Sequence, residues 1–391
     1  MDEKPELSRR SRRAASLIAA ALTAIVVAAF LYLRAATPTS PSAAVAPAPP
    51  TLTGYTAVYD FVTASTGWAL VTRLGRYWIF RTVDGARNWQ LQDAGPAPQG
   101  DPDVDFADAR HGVISFFGPS LVAYRTSDAG LHWRPLAVPG DAFAVTFANA
   151  DTGWALTWNP STQHLQLLST RDGGATWIER VWPSGAYWVG RGGMGALAFK
   201  SSGQGWTGGI GDQPTLLLTV DGGSSWRPIS IPIPPDVVPT PSAVPGPEPP
   251  PKPQFLFGLL MLLPERGVLA VVGDLTGDLV AFTSLDSGES WRRIAAPPEP
   301  ARFADISFVD DTHWWASRYG YLFKTSDAGQ TWERVGVKPL LEDWNYQPSH
   351  VIDSMHAWSE MISTAHSTVS ALATTSDGGV TWTSVNVPRP G

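Results

Sequence analysis

Seven copies of the pattern Ser/Thr-x-Asp-x-Gly-x-x-Trp run along this chain, closing at Trp89, Trp133, Trp177, Trp226, Trp291, Trp332 and Trp382. A sequence that resembles itself at intervals of 41 to 65 residues builds its fold by repeating one small unit. Within each copy the residue types are those of a turn. An Asp side chain accepts backbone N–H groups just after itself, and a glycine two places on tolerates a positive φ at which a Cβ would clash. The Trp then opens the next strand and brings a large apolar surface with it. Only TVDGARNW lacks that glycine and carries Ala86 in its place.

A second repeat lies 13 to 20 residues before each Asp, as STGWAL at Trp68, RHGVI at Gly112, DTGWAL at Trp154, GQGWTG at Trp206, ERGVLA at Gly267, THWWAS at Trp315 and MHAWSE at Trp358. Short apolar segments precede most of these, among them VTF to Phe147, LAF to Phe199 and ISF to Phe308. The unit therefore reads strand, turn, strand, loop, strand, Asp-box turn, strand. Four short antiparallel strands taken seven times predict an all-β, seven-bladed β-propeller. Twelve of the 18 Trp residues belong to the two repeats and are expected between the blades; Trp78, Trp158, Trp182, Trp188, Trp314 and Trp344 do not.

These residues carry a resemblance. The boxes built on Asp84, Asp128, Asp172, Asp221, Asp286, Asp327 and Asp377 resemble those of the bacterial-neuraminidase-repeat superfamily, which includes sialidases, xyloglucan-active glycosidases and sortilin-type receptors. The pairing of a GWA turn with each box is most similar to the photosystem II assembly and stability factor family, over residues 54–391. That resemblance implies a non-enzymatic, extracytoplasmic scaffold that binds a protein partner, a membrane-complex subunit, without cofactors; a link to photosynthesis rests on resemblance only. The matching residues are turn formers, so partner identity does not carry over.

The N-terminus predicts targeting. Residues 1–13 hold four arginines, and residues 14–34 begin with twenty uncharged residues, enough at 1.5 Å each to span a hydrocarbon core of about 30 Å. The charge bias places the N-terminus in the cytoplasm and the propeller outside, as a single-pass membrane protein with an uncleaved transmembrane helix. A cleaved signal peptide competes with this reading. Its apolar region would be unusually long, and the Ala44-Val45-Ala46 site lies far beyond it. Residues 35–53 form a Pro/Ala-rich linker, and a chain without cysteine has neither disulfides nor a lipidated cysteine. Residues 1–34 carry net +3, leaving −10 outside, which gives no electrostatic footprint for nucleic acid. An insertion at 232–253 contains 11 prolines, too many for a sheet interior, and Phe255–Leu263 is an apolar run too short for a second span.

Strand order sorts the loops onto two faces. The turns between first and second strands share one face with the Asp boxes, and the remaining loops share the other. The residues that break the repeat there are Arg73, Arg76, Trp158, Tyr187, Trp188, Arg191, Arg318, Tyr319, Trp344 and Tyr346. Arginines and aromatics are the residue types of binding hot spots, so these form the candidate partner surface. His111, His313 and His356 occupy equivalent turns, His132 sits in a box, and no metal-ligand spacing is present; Asp274 and Asp278 read as a plain turn rather than a calcium site. The alternative is a glycoside hydrolase, sialidase-like or xyloglucanase-like, or a carbohydrate-binding propeller. A sialidase needs an early Arg-Ile-Pro signature that is absent, and a glycosidase needs facing carboxylates, for which Asp212, Asp274, Asp278 and Glu360 are the unpaired candidates.

Overall fold

In the first four blades the first turn carries a glycine because a phenylalanine lies on it. Gly67, Gly112, Gly153 and Gly205 are paired across the ladder with Phe61, Phe106, Phe147 and Phe199. A Cβ on any of these glycines would sit 2.2–2.7 Å from the ring. The next residue, where it is tryptophan, turns into the gap between sheets. Trp68 stacks on Phe106 at 3.5 Å, Trp154 on Phe199 at 4.0 Å and Trp358 on Phe61 at 3.9 Å, each pair joining one sheet to the next. The same register fixes strand pairing and inter-sheet packing together.

The computed structural model describes residues 49–183, 197–199, 203–208, 215–232, 255–264, 267–274, 279–303, 306–318, 321–335 and 344–391. After a two-residue strand β1 (Leu52–Thr53), four-stranded antiparallel sheets follow in chain order. Blade one holds β2 (Thr56–Phe61), β3 (Gly67–Arg73), β4 (Arg76–Thr82) and β5 (Gln90–Pro96); blade two holds β6 (Asp101–Phe106), β7 (Gly112–Phe117), β8 (Leu121–Thr126) and β9 (Arg134–Pro135). Blade three holds β10 (Asp141–Phe147), β11 (Gly153–Asn159), β12 (His164–Thr170) and β13 (Ile178–Arg180); blade four holds β14 (Leu197–Phe199), β15 (Gly205–Gly208), β16 (Thr215–Thr219) and β17 (Arg227–Ser230). Blade five holds β18 (Phe255–Leu262), β19 (Val268–Asp274), β20 (Leu279–Ser284) and β21 (Arg292–Arg293); blade six holds β22 (Ile306–Phe308), β23 (Trp314–Arg318), β24 (Tyr321–Thr325) and β25 (Glu333–Val335). Blade seven holds β26 (Trp344–Val351), β27 (Ala357–Ser363), β28 (Val369–Thr375) and β29 (Thr383–Val385). Inner strand β2 contacts β6 on one side and β26 on the other, so the ring closes as a seven-bladed all-β propeller.

All seven boxes share one hydrogen-bond scheme. In blade three, Thr170 Oγ1 donates to Asp172 Oδ1 at 2.8 Å and accepts the Gly174 N–H at 2.8 Å. Thr176 then donates its N–H to Oδ1 and its hydroxyl to Oδ2, at 2.8 and 2.6 Å. The side chains of Asn88, His132, Ser225, Ser290, Thr331 and Thr381 fill the Thr176 role elsewhere. Two successive residues take positive φ in each turn, including Gly85 with Ala86 and Gly378 with Gly379.

Two expectations are refined. The tryptophans of the first turns are buried to within 2% exposure, but the box tryptophans are only half covered. Their indole N–H reaches the backbone just past the outer strand of the preceding blade, as Trp177 to Ala137 O (2.9 Å) and Trp226 to Val181 O (2.7 Å). Trp314, outside the sequence repeat, is fully buried in the core between blades five and six. Ring closure, for which the sequence offers no strand exchange, does use one. β1 pairs with the start of β28 as Leu52↔Ser370 and Thr53↔Val369, while β29 pairs with its later part, so two segments share the outer edge of blade seven.

The N-terminal segment 14–34, the linker up to residue 48 and the proline-rich stretch from 233 lie outside the described residues. Among the described residues no helix is long and apolar enough to cross a membrane.

Candidate functional site

The two faces are sorted as strand order requires. Box amides donate to first-turn carbonyls, as in Gly85 N–H to Ser65 O (2.9 Å), Gly173 N–H to Asp151 O (2.7 Å) and Gly378 N–H to Met355 O (2.9 Å). On the opposite face, Ala97 N–H donates to Gly75 O at 2.8 Å. His111, His313 and His356 each bond through Nδ1 to the Asp three residues earlier and so serve their turns, and His132 serves its box.

On the face away from the boxes, blade one carries a basic aromatic patch. Leu74 and Gly75 take positive φ, which makes the tight turn that pairs Arg73 with Arg76 across the β3–β4 ladder. Arg73 stands 4.8 Å above the Tyr55 ring and Arg76 5.7 Å above the Trp78 ring. Tyr55 and Trp78 meet edge to face at 5.9 Å. The two exposed guanidinium groups are thus held over half-buried rings, and cation–π attraction favours that placement. Beside them a cleft of about 710 Å³ runs between blades one and two, lined among others by Thr72, Arg73, Gln99 and Phe116.

Of the other candidates, Trp158, Arg318 and Trp344 are described and lie on other blades. Trp158 ends β11 opposite Asp141 and Leu165 on blade three. Arg318 ends β23 opposite Tyr321 on blade six, and Trp344 packs against Met361, Ala371 and Ala373 as a core anchor. Tyr187, Trp188, Arg191 and Tyr319 fall outside the described residues, and Tyr346 is described only as backbone of β26. Tyr55 and Trp78 are patch members that the sequence reading passed over. Trp78 could have been found from its place two residues beyond Arg76, on the same face of the strand.

A second cluster surrounds the ring-closure seam. His350 on β26 has Nε2 2.6 Å from Tyr59 O and Nδ1 3.5 Å from Asp60 Oδ1 on β2. Asp60 Oδ2 in turn accepts the Phe106 N–H from β6 at 2.6 Å, so one polar chain ties blades seven, one and two. Burial pushes the Asp60 carboxyl up to about 6 against the opposing Phe106 hydrogen bond. Glu360 on β27 rises to about 7 by desolvation, and Asp105 is pushed up by the surrounding protein and the Asp60 and Asp103 carboxyls although its side chain stays exposed to solvent. Burial lowers His350, which favours the neutral ring. The box aspartates go the other way: the Thr176 hydroxyl and amide hold Asp172 down at about 2. Among the described residues no group of His, Asp or Glu could hold a metal ion. Asp212 and Asp278 lie outside the described residues, and Asp274 is described only as backbone.

Fold and repeat define the class: an Asp-box seven-bladed β-propeller. Residues 270–388 match the family model described as photosynthesis system II assembly factor YCF48. No curated protein matches the sequence. A solved structure described as "YCF48 bound to D1 peptide" is 15% identical with a TM-score of 0.52, over 84% of this chain and 99% of that one. YCF48 from Cyanidioschyzon merolae is 17% identical over 83% of this chain and 96% of that one, with a TM-score of 0.47. An uncharacterized protein from Listeria monocytogenes EGD-e is 8% identical with a TM-score of 0.53, covering 87% and 97%. At these identities the structural likeness shows the fold. The same fold forms part of an enzyme, the dipeptidyl peptidase 4 of Porphyromonas gingivalis, where the match spans 52% of that chain at a TM-score of 0.51.

Proposed function

We propose that this chain is a membrane-anchored, extracytoplasmic propeller that acts as a non-enzymatic scaffold, capturing an acidic extended segment of a protein partner on blade one. The observation that carries the reading is the Arg73–Tyr55–Trp78–Arg76 patch beside its cleft. Two guanidinium groups fixed over aromatic rings can grip a carboxylate by forked hydrogen bonds while the rings offer apolar contact. The family match supports a protein partner, since one similar structure holds a peptide of D1. Anchoring rests on residues 14–34, and the outside location on the arginines that precede them.

The test is capture of membrane proteins by the intact chain and by an Arg73→Ala/Arg76→Ala variant. The variant is expected to lose at least tenfold in captured partner at unchanged melting temperature, since both side chains are exposed. Undiminished capture overturns the site. Release of reducing sugar from sialosides or xyloglucan would replace the scaffold reading with a glycosidase. Protease added to intact cells is expected to digest the propeller, and full protection would overturn the outside location.

A further inference from the structure

The seven blades are built alike, so a position filled in one can be compared with the same position in another. In blade seven, β29 covers Leu372, Ala373 and Thr374 of β28, and the edge it leaves at Val369 and Ser370 is taken by β1. Leu52 is buried there in one cluster with Val387, just past the end of β29, and Gly54 N–H donates to Thr368 O at 2.8 Å. In blade three, counting back from the box threonines Thr170 and Thr375, the residues matching Val369 and Ser370 are His164 and Leu165. β13 likewise covers only Leu167, Leu168 and Ser169 of β12. Among the described residues no strand pairs with the outer edge of His164 and Leu165.

That open edge borders a cavity of about 650 Å³ lined by Leu165, Glu179, Arg180, Val181, Trp182 and Ser224. The lining matches blade seven residue by residue. Trp226 donates to Val181 O as Trp89 donates to Asn386 O, so Trp182 stands where Val387 packs on Leu52. Backbone groups two residues apart on a strand point the same way. Leu167 pairs with Arg180 on the outer side, so the amide and carbonyl of Leu165 also face outward, over the cavity. Val181 is 52% exposed and Trp182 half-buried, leaving an apolar wall beside unpaired ladder groups.

We propose that the outer edge of blade three is a second binding site, which takes an extended segment of a partner protein by strand addition. The segment carries the chemistry of β1: an aliphatic residue set against Val181 and Trp182, then a small hydroxyl residue, then glycine. Main-chain hydrogen bonds supply the affinity and the aliphatic pocket the selection. This site is independent of the blade one patch.

The probe is a fluorescein-labelled peptide of the chain's own residues 49–55, Pro-Pro-Thr-Leu-Thr-Gly-Tyr, titrated with the intact protein by anisotropy. Saturable binding is expected. Leu165→Pro removes the outward N–H at a point of β12 that β13 does not reach, without touching the bonds to β11, and is expected to weaken binding at least tenfold. Val181→Asp, on an exposed side chain, is expected to do the same and decides the matter if the proline variant does not fold. Absence of saturable binding, equal binding to Val181→Asp, or a loss confined to Ser370→Pro, which would mean that the peptide displaces β1 in blade seven, overturns the proposal.

Discussion

At the scale of single residues, the box is a hydrogen-bond device whose glycine is set by a neighbouring blade. A Cβ on Gly379 would lie 2.2 Å from Leu322 Cδ2 of blade six, at a φ of +88°. Gly379→Ala is therefore expected to cost more than about 2 kcal/mol by clash and left-handed strain together, measured by urea unfolding. Ala86 occupies the same place in blade one at a φ of +59°, fully buried in the core between blades seven and one. There the methyl group is already accommodated, and Ala86→Gly is expected to change stability by less than about 1 kcal/mol. Thr170→Ala removes a buried hydroxyl that both donates to Asp172 and accepts from Gly174, and is expected to cost about 1–2 kcal/mol. The Asp, Gly and Trp of the boxes were legible in the sequence because backbone geometry demands those types. The phenylalanine against Gly67, Gly112, Gly153 and Gly205 was not, since nothing in VTF or LAF says which glycine its ring will cover.

At the scale of elements, blade seven shows how little chain a seam requires. β1 contributes two residue pairs, yet Leu52 is only 4% exposed and joins the cluster that includes Tyr59, Trp358 and Val387. Leu52→Asp is expected to cost about 2–4 kcal/mol, seen as a lower melting temperature, because it trades buried apolar area for an unpaired charge. An unchanged melting temperature would show that β1 does not hold the ring. This strand escaped the sequence reading for a physical reason: two residues set no alternation, and Leu52-Thr53 lies at the end of the stretch 35–53 read as a Pro/Ala-rich linker. The long strands with their own turns were legible. The apolar run Phe255–Leu263, too short for a membrane span, supplies the inner strand of blade five over Phe255–Leu262.

At the scale of the whole molecule, the ring gathers its unusual carboxyls around one seam. The folded state holds the Glu360 proton more tightly than the unfolded chain, with a value raised from 4.5 to about 7. Its contribution therefore favours folding below about pH 4.5 and is lost as pH rises through about 7. Asp60 acts in the same sense. Glu360→Gln is expected to flatten this fall in stability and to raise stability at pH 8 by about 1–3 kcal/mol, measured by denaturant unfolding across the pH range. Asp172 and the other lowered box aspartates oppose it, giving stability above the ordinary carboxylate range that is lost as pH falls toward about 2. Of these seam carboxyls only Glu360 stood out in the sequence, as an unpaired glycosidase candidate, while Asp105, alternating with Val104 and Phe106, resembles an ordinary wet strand face. The blade one patch was half legible, as its arginines interrupt the repeat while its aromatic supports do not. The short strand Leu52–Thr53 has one more consequence, which is mechanical. A pull on the chain ahead of Pro49 reaches the disc through two ladder pairs and one buried leucine at the rim of a single blade. Tension applied through the chain ahead of Pro49 would thus be focused on the junction where the circle is joined, and blade seven is the place where stretching would first open it.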